Sequence, residues 1–472
     1  MKENQFPFVS IIIVNFNGKT HLERCLTSLK KITYPKSRFE IIIVDNNSHD
    51  NSVTFIKNNY PYVQLIQSKE NLGFAGGNNL GVSKAQGEYV VLLNNDTWVD
   101  ENWLQALVTR AESDPQIAAV NSKSHLSFPC IPLTITSDVH SRSEFTHALD
   151  FQSVGVLVED LIIDDPQLQR QIHYQKGFYD VEKGEVAMRW TKGKGVILVP
   201  ADTNKKKLEF LITIRAQKST SHLKTHISIL LGNQEIKKDV LDSYEVKQYH
   251  FSFPIKDFQK NLLYRVQNAG NVIFRSGHSR DRGAVVKKYN QIYEIDNAFY
   301  QESSDILAFC GVSVLLRKKM YQEFGGFDET FFMYYEDTDL SVKLRRAGYR
   351  LVFEPKSLVY HIHAGSSVEW SPFFIFHVER NHLAFVFRHF PLSVVIQQTL
   401  EFFAVFLIGI IKMIRWRIVQ NWVAFEDFKE RSDVRIKIIR WLIKDGFRMY
   451  FERMRLSKKE RVKMMEIYLS CY

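Results

Sequence analysis

The sequence predicts an α/β protein with a mostly parallel, doubly wound sheet, an inserted all-β sandwich and a C-terminal helical region. Three observations predict it. Short continuous apolar runs alternate with amphipathic stretches over the first 110 residues. Between about 175 and 280 the chain changes to short strand-like runs broken by turn residues. From about 391 the pattern is helical, first apolar and then basic.

The first strands are expected at Val9–Val14, Phe39–Val44, Val63–Ile66 and Tyr89–Leu93. Leu22, Cys25, Leu26 and Leu29 repeat at helical spacing between the first two, and Thr20 with Glu23 reads as a capping box opening that helix. The stretch from 121 to 180 lacks periodicity. Strand-like runs then follow from Arg189 to Ser276, with turn signals at Pro200-Ala201-Asp202, Gly232-Asn233 and Asn268-Ala269-Gly270-Asn271. The α/β style returns with strands at Val312–Leu316, Arg350–Phe353 and Ser357–His363 and helices at Lys318–Phe324 and Asp339–Ala347. The expected domains are therefore 1–174, 175–280 as the inserted sandwich, 281–390 as the second part of the α/β domain, and 391–472 as a basic amphipathic tail.

Composition narrows the function. The 472 residues are 45% hydrophobic and 24% charged, which excludes a disordered, collagen-like or coiled-coil chain. Four scattered cysteines without a CxxC pair exclude a disulfide scaffold and a cysteine zinc site, and fit a reducing compartment. No charged-then-apolar leader is read at the start. Of the net charge of +10, +8 falls between Lys412 and Tyr472. The nearly neutral body argues against nucleic acid as a partner. The apolar run Phe402–Ile411 is short for a membrane span, and with the Trp, Phe and basic residues after it predicts peripheral contact with an anionic membrane surface.

The chemistry-bearing residues gather at strand ends, where open α/β sheets bind ligands. Asn15 follows the first strand. Asp45, with Asn46, Asn47 and Ser48, follows the second and could read a base edge and a ribose, or form an Asx-turn. Asn94, Asn95 and Asp96 follow the fourth. A carboxylate beside amides there could hold a hard divalent cation bridging phosphates, or be a turn residue. The segment Asn71-Leu72-Gly73-Phe74-Ala75-Gly76-Gly77-Asn78-Asn79 permits close backbone approach, yet is no dinucleotide fingerprint. Glu336, Asp337 and Asp339 open a helix after an aromatic run, where an ionised carboxylate could act as a general base. His361 and His363 share one side of a strand and could ligate metal or touch phosphate.

In this order the segments VSIIIVNFNG, IIIVDNNSHDNS, NLGFAGGNNLGV, GEYVVLLNNDTWV, FGGFDETFFMYYEDTDLSVKLRRAGYRLVFEP and LVYHIHAGSS resemble glycosyltransferase family 2 with its GT-A, Rossmann-like fold, most nearly the rhamnosyltransferase-like branch. The resemblance implies an inverting, metal-dependent transfer of a sugar, rhamnose first, from a dTDP- or UDP-sugar to a glycan or lipid-linked acceptor. It implies that Asn15, Asp45, Asn47, Gly76, Gly77, Asn78 and Asn95 bind the donor. Asp96 and His361 would hold Mn²⁺ or Mg²⁺, with Asn94 standing where the family's first acidic residue falls. Asp337 would be the catalytic base, with Glu336 orienting the acceptor. Arg380-Asn381 resembles an Arg-Asn element whose task the sequence leaves open. The implied location is cytoplasmic, peripheral at the inner face of the plasma membrane. Two other readings are a carbohydrate-binding protein on a degenerate scaffold and a sugar-1-phosphate nucleotidyltransferase. The latter would need a basic, glycine-rich loop where Asn15-Phe16-Asn17-Gly18-Lys19 stands.

Overall fold

The computed structural model describes residues 6–141, 153–180, 188–217, 224–242, 244–287, 290–362, 371–420, 422–454 and 457–472. They form two compact units. Unit 1 takes residues 1–127, 266–284 and 297–472, and unit 2 takes 128–265 and 285–296.

In unit 1 the strands β1 (Val9–Asn15), β2 (Phe39–Asp45), β3 (Gln64–Gln67) and β4 (Tyr89–Leu93) are parallel, in the order β3-β2-β1-β4. Helices α1 (Lys19–Lys30), α2 (Ser52–Asn59) and α3 (Gly73–Lys84) connect them. Strands β1, β2 and β4 are buried on both faces, which is why they read as unbroken apolar runs. Beyond β4 come β5 (Thr97–Val99), α4 (Trp103–Glu112), β6 (Ile117–Leu126), β7 (Ser313–Arg317), α5 (Lys318–Glu323), α6 (Glu336–Arg346) and β8 (Arg350–His361). Strand β7 lies antiparallel between β4 and β6, and β8 runs parallel to β6. The sheet is thus mixed, parallel through β3-β2-β1-β4 and antiparallel at β7. Register sets the site: Asn15 lies directly opposite Asp45.

Several expectations change. The Thr20–Glu23 box does not form, because Gly18 is the N-cap of α1 and Asp50 Oδ2 accepts from the Lys19 amide at 2.8 Å. From Gly73 on, the glycine segment is itself the start of α3. Arg350–Phe353 and Ser357–His363 are one strand, β8, whose register against β6 shifts between Glu354 and Leu358. His363 lies outside the described residues.

Unit 2 is an antiparallel sheet of eight strands in the order Gln234–Leu241, Thr225–Leu231, Cys130–Ser137, Arg189–Pro200, Leu157–Ile162, Lys207–Arg215 and Val246–Pro254, with His173–Phe178 also on Arg189–Pro200. The strand Arg189–Pro200 joins both halves, which share a core including Leu133, Ile197, Phe210 and Ile212. The β unit thus begins near 128, not 175, and the segment 266–284 returns to unit 1. The early strands escape periodicity because bulges interrupt Leu157–Ile162 and the pairing of His173–Phe178.

The C-terminal region is four helices: α7 (Pro372–His389), α8 (Leu392–Ile418), α9 (Trp422–Met454) and α10 (Lys458–Ser470). It is not a separate tail. Phe385, Val394, Met449 and Ile467 share one core with Tyr335 and Val342 of unit 1, and Tyr472 N donates to Ile273 O.

Candidate functional site

At the carboxyl ends of β1, β2 and β4 the short polar residues bond to one another. Asn15 Nδ2 donates to Asp45 Oδ1 at 3.0 Å and to Ser48 Oγ at 3.1 Å. Asn95 Nδ2 donates to Asn15 Oδ1 at 2.8 Å. Asp45 Oδ2 accepts from the Ser48 amide at 3.0 Å, so the Asx-turn is present as well. Asn47 lies exposed at the same turn with φ 64°, a conformation Asn tolerates. Gly18 is required here: a Cβ would stand 2.1 Å from Asn95 Nδ2 and 2.6 Å from Asn15 Oδ1.

Asp96 and His361 face each other, Nε2 to Oδ1 at 3.1 Å, both almost fully buried. His361 Nδ1 stands 2.7 Å from Gln267 Oε1, a contact that holds the ring with Nε2 toward Asp96. Burial pushes the Asp96 carboxyl up, but the imidazole of His361 outweighs it and holds the group below the ordinary range. Two ligands of one octahedral ion at about 2.1 Å stand about 3 Å apart, so the pair fits a shared divalent cation. Among the described residues Asp96 Oδ1 accepts no aligned hydrogen bond, although His361 Nε2 stands beside it. No group of three His, Cys, Asp or Glu occurs among the described residues, so the remaining ligands would come from the ion's other partners.

Asp337 sits on the first turn of α6. Its Oδ2 accepts from Gly311 N at 3.0 Å, and its Oδ1 accepts from Thr338 N at 2.6 Å and Thr338 Oγ1 at 3.1 Å. Gly311 adjoins Val312, whose carbonyl accepts from Asn94 N at 3.0 Å. Asp337 and Asp96 are thereby tied to one edge of one sheet. Burial raises the Asp337 carboxyl, and raises Glu336 well above the ordinary range, where the neighbouring Asp337 charge adds to it. Asp337 has three donors that favour its charged form and Glu336 Oε2 has none among the described residues, so Glu336 is the one pushed further toward the neutral acid. Asp339 differs: burial raises it, but His389 at 2.8 Å and Lys343 at 2.7 Å more than reverse that.

The structure assigns other work to part of the glycine segment. Cβ atoms on Gly77 and Gly81 would stand 2.8 Å from Val14 Cγ1 and 2.4 Å from Ile12 Cγ2, so these glycines seat α3 on the sheet. Gly76 is buried beside Leu72 Cβ, and Asn78 Nδ2 is used by Phe74 O at 2.9 Å within the helix. The contribution of the segment to the site runs through Asn46, whose Nδ2 donates to Gly73 O at 2.8 Å. Gln267 and Gly311 escaped sequence reasoning. Gln267 lies in a run that reads as sandwich, and Gly311 acts through its backbone.

A family model described as glycosyl transferase family 2 matches residues 10–127, and one described as glycosyl transferase family group 2 matches 258–375. Together they cover half of the chain. Among curated relatives, glycosyltransferase AglE of Haloferax volcanii is 29% identical over 102 residues, 21% of this chain and 34% of that protein. The cholesterol galactosyltransferase of Borreliella burgdorferi is 32% identical over 191 residues, 36% of this chain and 52% of that protein. The chain thus spans about half or less of the length of these relatives. Among solved structures, GalNAc-T7 with UDP, GalNAc and Mn²⁺ aligns at 14% identity and TM-score 0.42, over 81% of this chain and 48% of that one.

Proposed function

Because the chain belongs to glycosyltransferase family 2, we propose that it transfers a sugar from a nucleoside-diphosphate sugar to a hydroxyl, with inversion. The observation that carries this reading is one sheet edge bearing three functions: the Asn15–Asp45–Asn95 network, the Asp96–His361 pair and the Asp337 carboxylate. Asp45 and its partners bind the nucleoside. Asp96 and His361 would hold Mn²⁺ or Mg²⁺. When bound, the cation neutralises charge on the departing diphosphate. Asp337 keeps a lone pair for the acceptor hydroxyl while Gly311 and Thr338 fix its orientation. It takes the proton as the oxygen attacks the anomeric carbon from the face opposite the diphosphate. Neutral Glu336 beside it adds no repulsion and orients the acceptor.

Rhamnose from a dTDP-sugar is the first candidate donor and a UDP-sugar the second. A glycan or lipid-linked acceptor suits a chain associated peripherally with the inner face of a membrane. The test is nucleoside diphosphate release from a nucleotide-sugar panel with Mn²⁺ or Mg²⁺. Asp337→Asn is expected to cut turnover by about 10²-fold or more with donor binding little changed. Asp96→Ala is expected to weaken donor binding and the response to metal together. Wild-type turnover in Asp337→Asn removes Asp337 from its role, and an unaltered metal response in Asp96→Ala removes Asp96.

A further inference from the structure

The Arg380-Asn381 pair lies on α7, outside the groups named so far, and from its bonds we infer that it is a positioning device for Asp337. The inference rests on the reading of Asp337 as the base.

The segment leading into α6 has a backbone its side chains disfavour. Phe332 sits at φ 63°, ψ −58°, with Met333 N donating to Phe331 O at 2.7 Å, a γ-turn of the rare, strained hand. Tyr334 and Tyr335 follow at φ 70° and 72°. Three bulky aromatic residues at positive φ within four positions persist only where the surroundings over-determine them. Tyr335 is the residue immediately before Glu336 and Asp337.

Asn381 supplies much of that determination. Its side chain is fully buried, and Nδ2 stands 3.0 Å from Phe331 O, 2.8 Å from Met333 O and 2.8 Å from Tyr334 O. One amide nitrogen thus holds three carbonyls of the turn. Arg380 completes the grip: Nη2 donates to Thr330 O at 2.7 Å and Phe331 O at 2.9 Å, while Nε donates to Asn381 Oδ1 at 2.8 Å and fixes which way the amide points. On the other side of the turn, Ala75 N donates to Phe332 O at 3.1 Å. With the grip removed, the turn relaxes toward negative φ. The first turn of α6 then rotates and Asp337 leaves the Gly311 amide. The amide nitrogen of this buried asparagine meets only backbone carbonyls, so what its polarity secures is the backbone of the turn.

The experiment compares the full chain with Asn381→Ala and Arg380→Lys by two readouts. Amide exchange over residues 330–338 needs no donor. In Asn381→Ala it is expected to rise at least tenfold, with amides of β1 and α4 within about twofold of wild type. Turnover of any donor accepted from the panel is expected to fall about 10²-fold with donor KM within threefold, because a displacement of about 1 Å suffices for that. The acid limb of the kcat/KM profile is expected to move. Arg380→Lys keeps a charge but not the fork, and an intermediate loss is expected. Wild-type exchange over 330–338, exchange raised evenly across unit 1, or unchanged kcat overturns the inference. If wild type accepts no donor, the functional reading falls and the exchange readout alone decides the grip. If Asn381→Ala does not fold, Arg380→Lys carries the same comparison.

Discussion

Glu336 and Asp337 are adjacent in sequence, yet the fold separates their chemistry. Glu336 is 4% exposed, and among the described residues its Oε2 has no hydrogen-bond partner. Asp337 has three donors. The consequence for stability has a definite sign. The folded-state pKa of Glu336 lies above its unfolded value, so its contribution is full below the ordinary carboxylate range and is lost as pH rises through the folded value. Gln mimics the protonated acid at every pH. Glu336→Gln should therefore match wild type in urea unfolding near pH 4 and exceed it at pH 8.5 by about 1–3 kcal/mol. Equal stability at both pH values would contradict a buried, neutral Glu336. Asp337 is raised too, so the acid limb of kcat/KM should lie above the usual carboxylate range near 3.9, with activity increasing as pH rises through it. At this scale the placement of Asp45 and Asp96 at strand ends was legible, because each follows an unbroken apolar run, whereas Asp337 and His361 were singled out through the family resemblance. Gln267 was not legible: it meets the ring of His361, and only the fold brings residues 267 and 361 together.

Helix α3 joins the glycine-rich segment to the sheet. Its row of Gly77 and Gly81 lets the helix axis approach β1 and β2 closely, which brings Gly73 O to Asn46 and Ala75 N to Phe332 O. Gly81→Ala should gain about 1 kcal/mol of helix propensity, but its Cβ would lie 2.4 Å from Ile12 Cγ2. Overpacking of this kind costs about 1–3 kcal/mol. The net expectation is a loss of up to about 2 kcal/mol in urea unfolding, with a stabilised variant contradicting the packing argument. Strands β1, β2 and β4 were legible to within a residue or two because both their faces are buried. The helix start at Lys19 was misread because its capping carboxylate, Asp50, comes from another loop. The β unit was misplaced at its beginning because the chain passes from β6 to Cys130–Ser137 across three residues with no change in composition. Local pattern reports an element's faces, but not where one sheet stops and the next begins.

Over the whole molecule, the C-terminal helices decide what surroundings the chain requires. Helix α8 is long and apolar enough to cross a membrane, with a mean hydropathy of 2.0 over its best window. Yet Val394, Val395, Gln398 and Phe402 on one side are packed into unit 1. A spanning orientation would strip that face from its core, so the helix lies in the plane of an interface if it meets lipid at all. The opposite side carries Leu400, Leu407, Ile411 and Ile418, each more than half exposed, and Lys412, Arg415 and Arg417 flank its far end. An apolar stripe edged by basic residues matches an anionic bilayer surface. The full chain should co-float with vesicles containing phosphatidylserine and stay behind with neutral vesicles in 0.5 M salt. Leu407→Glu with Ile411→Glu should reduce flotation at least tenfold, since each side chain contributes about 1.5–3 kcal/mol when removed from water, while the thermal midpoint stays put because both residues already face solvent. The intact chain is floated because its C-terminal helices share a core with α6 and a fragment would expose apolar surface of its own. A wild-type chain that remains unbound at low salt, or a double variant that floats as well as wild type, would remove the bilayer from this face.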